Sequence, residues 1–338
     1  MPTPSRTSRR TIALVAVVLA GLSVVWVRGN ATNIKQAQRL TEALEVGAGA
    51  ARLVHEVQRE RDMSAYFVAT GRRLEYGSMV AQRVWVNQGM RAYGEQVRRL
   101  EPRLGEYDPG LRASLAEADR RLDGLRRFRV DRLDPKDEKV GTAETLRAYG
   151  TTVDALLGVV AHVSKVGEGS ALAQDLQAAV ALGRYKEAVG QERSYLYATY
   201  AAGGFVAGKA DPPTPAGVAR AEIAESAQDI RGLPFRGFTS ILGTKESWRS
   251  RFDAVATGEW DARLARALDP GGDAARADQF AAAVVKDPGE IRRVDQSVLR
   301  GWFFAMNSYM DTLRRLENQL VSDLTARASA AREGSDLW

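Results

Sequence analysis

Apolar residues recur along this chain at three- and four-residue steps, and two-residue alternation is nearly absent. That period marks amphipathic helices rather than half-buried strands. It predicts a first long helix over residues 31–70, closed by Gly71, a residue favoured just past a helix end. A second is expected over 74–100, halted before Pro102. A third opens at Asp108-Pro109, a capping residue followed by proline at the first helical position, and carries Leu111, Leu115, Ala118, Leu122 and Leu125 on one side. A fourth spans 142–166, and a fifth runs from just after Ser170 to Gly203-Gly204. Thr214-Pro215 opens a sixth, a shorter one covers 245–256, and a final long helix covers 289–333. The segments LDPKDEK (133–139), PPTP (212–215) and DPGGD (269–273) read as loops. Long antiparallel helices with short links make bundles. The expected fold is therefore all-α, an elongated antiparallel helical bundle built as two packed four-helix bundles or as one continuous one.

One stretch departs from the amphipathic pattern. Thr11 to Val27 (TIALVAVVLAGLSVVWV) carries no charge, and at 1.5 Å per residue it reaches roughly 26 Å, enough to cross a bilayer core. Trp26 stands at its far end, where interfacial aromatics are favoured, and Arg6, Arg9 and Arg10 precede it with only Arg28 close behind. The positive-inside rule then makes residues 1–10 a cytoplasmic arm, 11–27 a transmembrane anchor and 28–338 an extracytoplasmic domain of a single-pass cell-membrane protein. A cleaved signal peptide would have a shorter apolar region and a small-residue cleavage site. The nearest candidate, Gly29-Asn30-Ala31, is a poor match. No second span is expected further on.

Composition narrows the chemistry. Of 338 residues, 45% are hydrophobic and 27% charged, a globular balance. There is no cysteine, which excludes a disulfide scaffold, a thiolate metal site and a cysteine nucleophile. Two histidines, His55 and His162, leave little room for histidine-based metal or acid–base chemistry. The net charge of +6 falls to +3 once Arg6, Arg9 and Arg10 are set aside. The densest basic cluster, DRRLDGLRRFRVDRLDPKDEK, alternates with acids and reads as a solvated helix face with pairs such as Asp123–Arg127. Nucleic acid is not an expected partner. Arginines number 40 against 8 lysines, so a single arginine means little unless its position is unusual.

Two are unusual. VQRERDMSAYFVATG and VGQERSYLYATYAAG align on Glu60-Arg61 and Glu192-Arg193, each with a glycine ten residues after its arginine. From Arg61, helical steps of three, four and seven reach Val54, Val57, Ser64, Ala65 and Val68, the apolar stripe. Arg59 has His55, Glu56, Asp62 and Met63 at those steps and should face water. Arg193 resembles Arg61, with Val189, Gly190, Leu196, Tyr197 and Tyr200 at the same steps and Lys186 a further turn back. Both long helices thus aim a guanidinium inward. An arginine there keeps its proton and must find an anion or several carbonyls. One reading is a buried salt bridge from each arginine to an acid on another helix. The other is that the two face each other across a small pocket and share an exogenous anion. Two like charges about 6 Å apart repel by roughly 3 kcal/mol at an effective dielectric of 20, and a bound monoanion turns that repulsion into two attractions.

HEVQRERDMSAYFVATG and KEAVGQERSYLYATY resemble the two arginine motifs of the nitrate- and nitrite-sensing (NIT) domain of bacterial signalling proteins, and WFFAMNSYMDTLRRLENQLVSDL resembles that family's closing helix. The resemblance spans roughly residues 50–335. It implies two four-helix bundles with nitrate or nitrite held between arginines on adjacent helices, at positions matching Arg61 and Arg193. Gln58, Ser64, Gln191 and Tyr197, near them on the same two helices, are candidates to support them. Asp62-Met63 departs from the small Gly-x usual after the first Glu-Arg. Lying about 100° around the helix from Arg61, Asp62 need not fill the pocket, but its charge would weaken anion affinity.

Other motifs carry less. His55-Glu56 looks like a histidine-kinase phospho-acceptor pair, yet the usual following proline and any Gly-rich ATP box are missing. His55-Glu56-x-x-Arg59 is not a zinc HExxH. His162, beside Val159 and Val166, reads as a core histidine. Trp302, Phe303, Phe304 and Tyr309 read as core and interface, with homodimerisation the functional alternative, and Gly47 to Ala51 suggests close helix approach. No nucleophile elbow, phosphate loop or dinucleotide fingerprint occurs, so no enzyme, cofactor or metal is expected. The expected function is a signal-transduction sensor for a small oxyanion. Its rivals are the sensor half of a kinase or chemoreceptor whose output module would follow residue 338, and a structural protein whose arginines form internal salt bridges.

Overall fold

A computed structural model of the chain describes residues 6–133, 140–206, 231–269 and 271–333, with side chains from residue 34 on apart from Arg332. Among the described residues every regular element is helical, and the one β feature is an isolated bridge between Val206 and Pro234. The elements are α1 (Arg6–Ala69), α2 (Tyr76–Leu100) continued by a 3₁₀ segment (Glu101–Glu106), α3 (Pro109–Asp131), α4 (Thr142–Val166), α5 (Ala173–Ala201), α6 (Phe235–Val255), α7 (Gly258–Ala267), α8 (Asp273–Lys286), α9 (Glu290–Arg293) and α10 (Gln296–Arg332).

The capping signals act as read. Asp108 accepts a hydrogen bond from Gly110 N at 2.6 Å at the start of α3, and Asp295 does the same for Ser297 N at 2.6 Å at the start of α10. The extended backbone at Val294 and Asp295 splits the expected final helix into α9 and α10. The short helix expected at 245–256 begins earlier, at Phe235, and α7 and α8 were not anticipated. The buried face of α8 is Ala274, Ala277, Ala281 and Val284, too weak a contrast in hydrophobicity to stand out. The helix expected at Thr214-Pro215 and the loops at 212–215 and 134–139 lie outside the described residues. On α3, Asp123 pairs with Arg126 at 2.5 Å rather than with Arg127, one turn-neighbour for another on an exposed face. The anchor expected at 11–27 lies within α1 but outside the residues whose side chains are described. Among the described residues no helix is long and apolar enough to cross a membrane.

Helices α1 to α4 pack as one bundle, and α5, α6, α8 and α10 group as a second. Helix α1 packs against α2 and α4 on one side and α5 and α10 on the other, so it joins the two groups. Not all neighbours are antiparallel. Gln58 meets Glu187, Asp62 meets Arg193 and Tyr66 stacks on Tyr197, so α1 and α5 run parallel where they touch. Both end the same way. Gly71 (φ 70°) and Gly203 (φ 84°) are left-handed, and the N–H groups of Arg72 and Gly204 close back onto Phe67 O (2.8 Å) and Thr199 O (2.9 Å). These are Schellman closures, where only glycine takes the left-handed backbone without strain. The repeated glycine therefore sets the two arginines equally far, ten residues, from matching helix ends.

Helix α5 is buried around almost its whole circumference, with Leu182, Val189 and Leu196 fully enclosed. Leu182→Ala should cost about 2–5 kcal/mol, the transfer loss plus the residual cavity, read as a lower urea midpoint with an unchanged slope.

Candidate functional site

A helix buried on all sides cannot leave its ions in water, so each needs a partner from another element. Helix α5 carries four such ions within two turns, and the surrounding helices answer each one. Lys186 pairs with Glu317 of α10, Glu187 with Arg61 of α1, Glu192 with Lys245 of α6, and Arg193 with Asp62 of α1. Helix α1 repeats the scheme. Its Glu60 is held by Arg129 of α3 and accepts the Tyr149 hydroxyl of α4 at 2.6 Å. The Glu-Arg dipeptide thus does the same work in both copies. Glu60 and Glu192 turn to a base within their own helical group, while Arg61 and Arg193 turn into the seam between α1 and α5. Burial pushes both glutamates above the usual carboxylate range, with Arg129 and Lys245 opposing it.

At the seam, Arg61 is 1% exposed and its Nη1 donates to Glu187 Oε1 at 2.5 Å. Gln58 donates to Glu187 Oε2 at 2.7 Å and Gln191 to Oε1 at 2.8 Å, so three side chains converge on one carboxylate. Gly190 makes room for this: a Cβ there would stand 3.0 Å from Arg61 Nη2. Arg193 is 2% exposed, and its Nη1 donates to Asn307 Oδ1 of α10 at 2.9 Å. Its Nη2 lies 2.5 Å from Asp62 Oδ2, yet the pair lacks hydrogen-bond alignment, and Asp62 Oδ1 has no donor. Nε of both arginines and Nη2 of Arg61 meet no hydrogen-bond acceptor among the described residues.

The ion pairs match the salt-bridge reading of the two arginines: Glu187 and Asp62, each from the other helix, neutralise Arg61 and Arg193, so the guanidiniums do not face each other free of protein acids. Asp62 does not stay clear of the pocket either. The 100° step that takes it off Arg61's stripe turns it toward Arg193 on the parallel neighbour.

The two pairs are not equivalent. Burial works against the Arg61 cation, but Glu187 and Asp62 outweigh it and hold its pKa above the ordinary value. For Arg193, burial outweighs Asp62, and Arg61 adds repulsion, so its pKa is depressed. Burial likewise pushes Asp62 up to about 6 despite the attraction of Arg193 and Arg61. Both members of this pair are charged against the preference of their surroundings.

A cavity of about 340 Å³ opens beside it, lined by Arg193, Asp62, His55, Asn307, Tyr197 and Phe303 among others. Tyr197 is sandwiched between Tyr66 (centroids 4.1 Å apart) and Phe303 (4.3 Å), an aromatic stack that ties α1, α5 and α10 together next to the cavity. Of the supporting residues expected from sequence, Gln58 and Gln191 serve Glu187, and Tyr197 walls the cavity. Ser64 is elsewhere, bonded to Tyr149 at 2.9 Å. Arg59 is exposed as expected. His162 is not a core residue but a half-buried one in the groove between α3 and α4. Phe304 is 70% exposed while Trp302 and Tyr309 are buried. Sequence reasoning missed Glu187, Asn307 and Glu317. Glu187, six residues before Arg193 on a wholly buried helix, was the one with a signal. No metal-binding group occurs among the described residues.

The coordinates define an all-helical domain whose two bundle halves meet at a seam of buried ion pairs. The family model described as nitrate and nitrite sensing matches residues 52–325, and the chain belongs to that family. The fold is also similar to the solved structure of the NasR transcription antiterminator, at a TM-score of 0.70 and 19% identity, covering 93% of this chain and 76% of that one. No curated protein matches.

Glu187→Gln leaves Arg61 charged and buried without a carboxylate, and should destabilise the fold by about 3–5 kcal/mol, measured by urea denaturation.

Proposed function

We propose that this chain is a nitrate- or nitrite-sensing signal-transduction domain in which Arg61 and Arg193 take a small planar oxyanion at the seam of α1 and α5. The observation that carries the reading is a pair of buried arginines, one per helix, each with guanidinium N–H groups outside any hydrogen bond, Arg193 of the two lining a cavity. Membership of the nitrate and nitrite sensing family supports the ligand class. A planar anion matches the guanidinium fork in shape and hydrogen-bonding pattern. Because Glu187 and Asp62 already occupy the arginines, binding is an exchange, and the exchange moves α1 relative to α5 and α10. Helix α1 is continuous from Arg6 to Ala69. With residues 11–27 as a membrane anchor and the domain outside, that movement reaches the bilayer along one helix.

A second reading is favoured by the ion pairs themselves: two 2.5 Å contacts to internal acids are what an inert, self-neutralised core would show. Thermal melting of the full chain with sodium nitrate, nitrite and chloride separates the two. The sensor reading expects nitrate or nitrite, but not chloride, to stabilise the fold, by about 2.7 kcal/mol at a hundredfold excess over Kd. Arg61→Ala and Arg193→Ala should each remove the effect. If no salt shifts the melting point, the inert core is correct.

A further inference from the structure

Resting on the oxyanion reading above, we propose that Asp62 is a built-in competitor for the ligand, and that the anion displaces it from Arg193 while the freed carboxylate takes up a proton. A carboxylate is itself a planar oxyanion, and this one sits against the guanidinium where such a ligand would bind. It is 4% exposed and 2.5 Å from Arg193 Nη2. Its hold is incomplete. The contact is misaligned for a hydrogen bond, Oδ1 is without a donor, and Arg193 Nε is without an acceptor. Glu187, by contrast, receives hydrogen bonds from Arg61, Gln58 and Gln191. The weaker latch is the one bordering the cavity, so Asp62 has space to turn into and Asn307 remains to orient Arg193.

Charge balance supplies the proton. The seam holds Arg61 and Arg193 against Asp62 and Glu187, two charges of each sign. A monoanion would leave it net negative and buried, a costly state unless one acid is neutralised. The groups around Asp62 single it out. From α1, Arg61 favours its charge, Arg59 stands exposed, and His55 is pushed down to about 2 by burial with Lys186, Arg314 and Arg193, so it stays neutral. From α5, Arg193 favours the charge and Glu187 opposes it. Asp311 of α10 and Glu75, beyond the end of α1, are exposed acids at the cavity's edge. Asp62 already titrates near 6 with Arg193 attached. Losing that attraction raises it further, so proton uptake falls in the neutral range. By linkage, affinity then drops up to about tenfold per pH unit above the free-state value and levels off below it.

Isothermal titration of the full chain with sodium nitrate at pH 6, 7 and 8, in buffers of differing ionisation enthalpy, tests this. The expected result is affinity weaker by about tenfold or more at pH 8 than at pH 6, with close to one proton taken up per nitrate at pH 7. Asp62→Asn should bind nitrate at pH 8 about tenfold more tightly or better, with almost no pH dependence and no proton uptake. Wild-type proton counting stands without the variant, should Asp62→Asn fail to fold. Nitrate binding with no proton uptake and a flat pH profile overturns the competitor role and leaves the oxyanion reading intact. Asp62→Asn binding with an unchanged pH profile does the same. An absence of nitrate binding to both proteins at every pH overturns the oxyanion reading, and this inference with it.

Discussion

Helix α5 buries the charged side chains of Lys186, Glu187, Glu192 and Arg193, and the helices packed around it are placed to meet that demand. An uncompensated buried ion costs several kcal/mol, comparable with the whole stability of a domain. The neighbouring helices therefore have to present the opposite charge at the right level: Glu317 from α10, Arg61 and Asp62 from α1, Lys245 from α6. A one-residue slip of α1 against α5 would uncouple Gln58, Arg61 and Asp62 from their partners together. The ion pairs are weak sources of net stability, but they are strong determinants of register.

That register also sets how the two arginine sites of the seam differ. Interfaces and close-packed cores shift between discrete arrangements rather than deforming continuously. The two halves of the seam are held differently. Glu187 is fully supported by donors from both helices, and Asp62 is held by one misaligned contact beside a cavity. Arg193 is linked to α10 through Asn307, and the Tyr66–Tyr197–Phe303 stack joins α1, α5 and α10 beside it.

Much of this was legible in the chain. Helical periodicity depends on neighbours three and four residues away, so α3, α4 and the inward direction of Arg61 and Arg193 follow from local pattern alone. The glycine ten residues beyond each arginine foretold matching helix ends, because left-handed backbone is a local property. Where the local pattern is faint, as in the alanine face of α8, the element was missed. The kinship of the two Glu-Arg segments likewise needed no coordinates.

The sequence by itself determined that the protein is helical, that two arginines point inward, and that they belong to equivalent positions of a repeat. Only the tertiary structure decided what they meet. Glu187 lies 126 residues from Arg61, and Asp62 lies 131 from Arg193. No periodicity within one helix can say which charge a second helix will bring to the same level. The parallel run of α1 and α5 sets that level, and it turns Asp62, adjacent to Arg61 in the chain, onto the other arginine. Direction is inherited from the helix, but partnership is a property of the packing, because Coulomb attraction and desolvation depend on distance in space and not along the chain.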